Sequence, residues 1–222
     1  MRTTVFLVED HEVLRQGLTD RVDAEPDLQV VGGAGTVADT LAAVDAMSDE
    51  PGGGPAVVVI DLRLPDGNGV ELCRELRSRR PDLRCVFLTS YDADDALFSA
   101  IMGGADGYVL KQMVGFDLGK AIRTVSAGRS LLDGKVVESV LAGVRRHRER
   151  AEPAAWLTPP EPQVLDLIVA GLTNREIATR LELPEEAVRG AVSSLLGKLS
   201  WRNAWAFSRA GEPSARAPGA GR

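Results

Sequence analysis

The chain has 222 residues, a hydrophobic fraction of 44% and a formal net charge of -6. That length holds one large domain or two small ones, and the apolar content is enough for a packed core. The acidic balance excludes a generally basic nucleic-acid coat, though it leaves room for a local patch. No apolar stretch approaches the roughly 20 residues needed to span a membrane. Cys73 and Cys85 make no disulfide framework and read as small buried hydrophobes in a reducing compartment, so a cytoplasmic location is expected. The N-terminus runs directly into a strand pattern, so no signal peptide is expected.

Residues 3–8 predict a first strand. Residues 11–24 predict a helix with Leu14, Leu18 and Val22 on one face, and Pro26-Asp27 breaks it. Leu28–Val31 reads as a second strand, and Val37–Met47 as a helix with Leu41 and Val44 inward. Ser48–Pro55, with three consecutive glycines, reads as a surface loop. Val57-Val58-Val59-Ile60 is an unbroken β-branched run, the pattern of a strand buried on both faces of a parallel sheet. It ends in Asp61, and Pro65 and Gly67 then force a turn. A helix over 69–79, a strand over 84–89, a helix over 93–102, a strand over 107–110 and a helix from Val114 to Ala127, capped by Gly128, complete the first half. Strands alternating with helices predict a doubly wound, five-stranded parallel α/β sheet.

The second half changes character. Val136–Arg150 has a helical pattern ending in a basic run at 145–150, and Glu152-Pro153-Ala154 reads as a linker. Beyond residue 160 there is no strand pattern. Leu165, Ile168 and Val169 fit a helix stopped by Gly171. Asn174 is placed to cap a short helix, Arg175–Leu181, and Leu183-Pro184 turns the chain into a longer one, Glu185–Leu199. Two helices joined by such a short turn form a helix-turn-helix pattern. Gly211–Arg222 has no periodicity and is expected to be disordered.

Several predicted strands end in chemistry: Glu9-Asp10, Asp61, Thr89-Ser90 and Lys111. Ligand sites of open α/β sheets lie at the carboxyl ends of the strands. With the acidic pair Glu9-Asp10, Asp61 in DLRLPDGNG, Thr89 in LTSY, and Tyr108 and Lys111 in GYVLK, residues 1–128 resemble a bacterial response-regulator receiver domain. GLTNREIATRL and the later VSSLLGKL make residues 156–207 similar to the LuxR-type helix-turn-helix DNA-binding domain of the NarL/FixJ class. GNGVELCRELRSR and GADGYVLK look most like the DevR/DosR branch. On this reading, 129–155 is a helical linker and 208–222 a tail.

The resemblance implies that Asp61 is the phosphoacceptor, attacking a phosphohistidine on a sensor histidine kinase. A carboxylate repels the incoming phosphoryl group unless a cation intervenes, and the implied cation is Mg2+, an ion of oxygen ligands. Asp10, Asp61 and the backbone carbonyl of Arg63 are the implied direct ligands, with Glu9 acting through water. Lys111 neutralises phosphoryl oxygens as a point charge, Thr89 donates a hydrogen bond, and Tyr108 is the aromatic switch. His11 has no evident partner and is expected to face solvent.

For the second domain the resemblance implies a partner, double-stranded DNA, bound by a homodimer formed on phosphorylation, with contacts from Asn174, Arg175, Arg189, Ser193 and Lys198. The family's Glu-Lys-Thr-Val-Lys-Asn/His pattern reads here Glu185-Glu186-Ala187-Val188-Arg189-Gly190. Glu186 would repel phosphates, and Gly190 offers no side chain. Between 156 and 207 five basic residues stand against six acidic ones, so phosphate neutralisation, the main source of unspecific affinity, is weak. The alternative is a phosphoacceptor protein whose degenerate helical domain works through protein contacts, with Trp201 and Trp205 as a candidate surface. An aspartate-nucleophile phosphatase would want a second acid where Arg63 stands. A flavodoxin loop would not carry Glu9-Asp10-His11-Glu12. The chain is therefore not read as an enzyme.

Overall fold

The computed structural model describes residues 2–48, 54–90, 99–132 and 157–198. The apolar runs of the first half form β1 (Thr3–Val8), β2 (Leu28–Ala34), β3 (Val57–Asp61), β4 (Arg84–Thr89) and β5 (Gly107–Leu110). They make one parallel sheet in the order β2-β1-β3-β4-β5, with the β-branched run at its centre. Helices α1 (Glu12–Asp23), α2 (Val37–Ser48), α3 (Gly69–Arg79) and α4 (Val114–Ser126) flank it. The fold is the expected doubly wound one. Of the helix expected at 93–102, only the end lies among the described residues, and 99–103 is helical. Gly52 and Gly53 of the glycine run, the basic run at 145–150, both C-terminal tryptophans and the tail lie outside the described residues.

Side chains alternate across the pleat, so β3 feeds two cores. Val58 and Ile60 join Phe6, Val8, Cys85 and Phe87 under Val70, Leu72, Cys73 and Leu76 of α3. Val57 and Val59 join Val5, Leu7, Val86 and Leu88 under Leu18 and Val22 of α1 and Leu118, Ile122 and Val125 of α4. Every residue of β3 is buried, and each such aliphatic side chain stabilises the fold by about 1.5–3 kcal/mol. Leu14, expected on the inner face of α1, lies nearer its exposed end, at 36% exposure.

One strand boundary is corrected, and the turn expected at Pro65 and Gly67 takes a definite form. β2 runs three residues beyond Val31, through Gly32 and Gly33. A β-carbon on Gly32 would lie 2.8 Å from both Met47 and Phe6, so the strand needs glycine there to let α2 pack. The turn after Asp61 closes as a small antiparallel hairpin, Arg63–Leu64 against Gly67–Asn68. Asn68 then caps α3, its side chain accepting from the Val70 amide at 2.8 Å.

The second half supplies α5 (Glu161–Val169), α6 (Asn174–Leu181) and α7 (Glu185–Lys198). Gly171 ends the first turn at φ 82°. Thr173, not Asn174, caps α6: Thr173 and Glu176 form a reciprocal capping box, the three-residue spacing that lets each side chain reach the other's amide. Glu182 takes the left-handed conformation at φ 55° and turns the chain toward α7. Val188, Val192 and Leu195 point into a core with Val164, Leu165, Ile168 and Ile177, and this core is continuous with the α3 side of the first domain. Buried Glu161 accepts from Lys198 at 2.7 Å and from the Thr158 amide at 2.8 Å, tying the start of α5 to the end of α7.

Glycine positions make a direct test of the packing. A β-carbon on Gly69 would sit 2.3 Å from the Asp61 carbonyl oxygen, whereas one on Gly17 meets nothing within 4 Å. Gly69→Ala is expected to destabilise the protein by about 1–3 kcal/mol through overpacking. Gly17→Ala in exposed α1 is expected to stabilise it by up to about 1 kcal/mol. Urea unfolding of both variants checks the pair.

Candidate functional site

Register assembles the site. Val8 pairs with Ile60, so Glu9 and Asp61 leave their strands at the same level. Asp61 pairs with Leu88, the neighbour of Thr89, and Thr89 pairs with Leu110, the neighbour of Lys111. A cavity of about 480 Å³ opens there, lined by Asp10, His11, Asp61, Arg63, Thr89, Ser90 and Lys111. The Lys111 ammonium lies 2.9 Å from Asp61 Oδ2 and 2.7 Å from Glu9 Oε2. The Arg63 amide points to Asp61 Oδ1 at 3.4 Å. Glu9 and Thr89 are buried, and Asp61 is 6% exposed. Tyr108 is half-buried against the α3-side core. All the receiver residues predicted from sequence therefore gather at or beside one sheet edge.

Charge organises these groups. Burial opposes the Lys111 ammonium, but hydrogen bonds to Glu9 and Asp61 outweigh that cost and hold its pKa above the ordinary value. His11 is exposed as expected but not alone: Nδ1 lies 2.8 Å from Asp10 Oδ1 and 3.3 Å from Glu9 Oε1. Desolvation works against the Asp10 carboxylate, and the His11 contact overcomes it and lowers its pKa. Asp10 in turn raises that of His11. The groups lining the cavity include the carboxylates of Asp10 and Asp61 beside Arg63, and carboxylate oxygens are the donors that a hard divalent cation takes.

Two contributors escaped the sequence reading. Asp66, in the turn after β3, accepts from the Val37 and Ala38 amides at 2.7 and 3.0 Å, which lowers its pKa and caps α2. Its signal was an Asp beside Pro and Gly, read only as turn chemistry. Arg15 donates to the Glu9 carbonyl at 2.6 Å, fixing the loop that carries the acidic pair.

The residues expected to contact DNA are spread differently. Arg189 pairs with Glu75 of α3 at 2.9 Å, and Ser193 donates to Glu71 of α3. Asn174 is buried and accepts from Arg74 at 2.7 Å. The Arg175 side chain is exposed, while its amide donates to Ser78 at 3.3 Å. Lys198 is held by Glu161 within the helical domain. The outer face of α7 is thus turned onto α3. Glu186 and Gly190 are exposed on that helix. In α3 the residues Glu71, Arg74, Glu75 and Ser78 recur at helical spacing, a stripe visible in the sequence but easily taken for a solvated face.

This arrangement of acids, hydroxyl and lysine at the carboxyl edge of a five-stranded parallel sheet, followed by a helix-turn-helix unit, defines a class. The response regulator receiver domain model matches residues 5–123, and that of the bacterial regulatory proteins of the luxR family matches residues 155–207. The chain belongs to the response regulators with a LuxR-type output domain, transcription regulators rather than enzymes. It is 50% identical over 195 residues to the DNA-binding transcriptional activator DevR/DosR of Mycobacterium tuberculosis, covering 88% of this chain and 87% of that protein. It is 31% identical over 201 residues to the nitrate/nitrite response regulator protein NarL of Escherichia coli, covering 90% of each. A LuxR-family two-component response regulator from Aurantimonas aligns with a TM-score of 0.54 at 26% identity, over 68% of this chain and all of that one. No helix among the described residues is long and apolar enough to cross a membrane.

The raised pKa of Lys111 fixes a sign. Its ion pairs stabilise the folded state fully below the ordinary lysine value of 10.5 and lose that effect as pH rises through the higher folded value. Lys111→Met is expected to be less stable than the parent at neutral pH, with the gap closing as pH climbs past 10.5. Urea unfolding across that range measures it.

Proposed function

We propose that Asp61 is the phosphoacceptor of a two-component system and that its modification governs DNA binding by the helical domain. The observation that carries this reading is the Lys111 ammonium 2.9 Å from an almost buried Asp61 at the mouth of a cavity. An Asp61 oxygen attacks the phosphorus of a kinase phosphohistidine. The P–N bond breaks, its electron pair stays with the imidazole, and an acyl phosphate forms. Lys111 neutralises the phosphoryl oxygens, and Thr89 donates a hydrogen bond to them. Glu9 and Asp10 keep the mouth acidic, and Tyr108, paired with Phe87 on the strand that ends in Thr89, is the residue that repacks. Mg2+, when bound through Asp10, Asp61 and the Arg63 carbonyl with Glu9 acting through water, offsets the repulsion between carboxylate and phosphate.

The output follows from the α3–α7 contact. Arg189 and Ser193 are engaged by Glu75 and Glu71, so in this form two of the side chains expected to face DNA are held by the receiver. Release of α7 lets Arg189, Ser193 and exposed Arg175 reach a major groove and its phosphates. Lys198 and Asn174, held by Glu161 and Arg74, act there only after those contacts change. Glu186 keeps the affinity of one copy low, so a homodimer on two half-sites supplies the rest. The receiver spans 1–128, the linker 129–155, the DNA-binding domain 156–207 and the tail 208–222. The protein acts in the cytoplasm, where kinase and chromosome are both reached.

Incubation with a small phosphodonor and Mg2+ is expected to label the parent and not Asp61→Asn; acid-stable labelling of that variant would remove Asp61 from the role. Glu71→Ala with Glu75→Ala breaks two exposed contacts worth little each. It is expected to raise the DNA affinity of the unphosphorylated protein by about threefold to tenfold. Selection from random duplexes, with and without phosphodonor, supplies the binding sequence for this measurement.

A further inference from the structure

A second cavity, of about 230 Å³, lies between the two domains. Its walls include Arg74 and Arg77 of α3, Gly103 and Gly104 of the receiver, and Leu172 and Thr173 ahead of α6. Arg74 is 3% exposed, and its hydrogen bonds all go to neutral acceptors: Asn174 Oδ1 at 2.7 Å, the Met102 carbonyl at 3.0 Å and the Leu172 carbonyl at 2.9 Å. Arg77, one turn along, has a covered Nε without a hydrogen-bond partner. Among the described residues no carboxylate hydrogen-bonds to either guanidinium. Glu176 feels the charge of Arg77 through space, but its own hydrogen bonds go to Thr173.

Two like charges three residues apart, one almost wholly out of water, leave excess positive charge in a low-dielectric wall. Burial pushes the Arg74 guanidinium down to about 10, and the charge of Arg77 adds to the effect. An uncompensated buried cation is strongly unfavourable, and the usual remedy is a counter-ion with hydrogen-bonding oxygens. The rim leaves space for one. Gly104 and Gly171 both have positive φ and put no side chain into the opening.

We propose that this interdomain cavity binds a small oxyanion, a phosphate- or carboxylate-bearing metabolite, between Arg77 and the receiver–helical-domain seam. Arg77 offers the outer edge of its guanidinium, whose Nη1 lies toward Gly104 at the cavity wall, while its covered Nε leaves the charge unpaired on the inner side, and Arg74 keeps its bonds and supplies field. Leu132 and Ile168 give an apolar body room beside the anionic group. Because both domains wall the cavity, the anion binds the closed arrangement and not the released one. Binding therefore shifts the population toward the closed form and opposes release of α7. The site is separate from the Asp61 cavity, so it holds whether or not Asp61 is the acceptor.

Isothermal titration of the full-length protein in magnesium-free buffer at constant ionic strength tests this, with inorganic phosphate and succinate as separate probes. At least one probe is expected to bind saturably at one site per chain, and the tighter of the two names the anion class. Arg77→Gln is expected to weaken that binding by about tenfold or more, with Arg77→Lys recovering part because charge remains and the fork does not. Leu132→Glu, which brings a carboxylate to the opposite wall, is expected to weaken it independently. Circular dichroism verifies that each variant is folded. Absence of saturable binding by both probes, or parental affinity in both Arg77→Gln and Leu132→Glu, would overturn the proposal.

Discussion

The Lys111 ammonium holds the receiver edge together. It bridges Glu9 and Asp61, two carboxylates that a parallel register brings to the same level. Without a cation between them they would repel one another where water is scarce. The fold leaves no freedom here: residues 5–8 of β1 and 57–60 of β3 are adjacent, paired and apolar, so the acids that follow them emerge side by side. The same constraint bears on the role proposed for Asp61, because it sets a cation against the carboxylate. An anionic carboxylate can take an anionic phosphoryl group only where positive charge is already in place, and Lys111 brings that charge to Asp61 from the end of β5, two strands away.

From Asp61 the effect has a short physical route to the second domain. Gly69 begins α3 against the Asp61 carbonyl, and its amide donates to the Leu62 carbonyl at 3.0 Å. α3 is therefore seated on the end of β3 itself. Its outer face carries Glu71, Arg74, Glu75 and Ser78, every one of which bonds to the helical domain. The Glu75 carboxylate is disfavoured by desolvation but lies below its ordinary pKa because Arg79 and Arg189 donate to it. These contacts are individually weak, apart from buried Arg74. A seam of that kind is suited to opening, since a small displacement of one helix loosens all its contacts together.

Much of this was legible in the sequence because burial on both faces of a sheet leaves an unmistakable apolar run, and strand ends then announce their chemistry. Glu9, Asp10, Asp61, Thr89 and Lys111 could be placed at one edge from that pattern and the family resemblance. Local rules also located Gly171 and the turn before α7. What stayed hidden were pairings between distant segments. The alternation of charge in α3 looks the same whether it faces water or another domain. Thr173 was passed over for Asn174 because both can cap, and only the reciprocal partner Glu176 separates them. Gly32 and Gly33 looked like a strand end because the reason for glycine there, Met47 and Phe6 pressing close, lies in tertiary packing.

The central claim is that Arg189 and Ser193 tie α7 to α3 until Asp61 is modified, and an interdomain distance reports on it most directly. Gly17 and Gly190 both face open space and accept spin labels through introduced cysteines. The account predicts one narrow distance in the unmodified protein and a longer, broader population when beryllofluoride and Mg2+ are added, absent when Asp61 is replaced by Asn. An identical distance distribution in both states would contradict it.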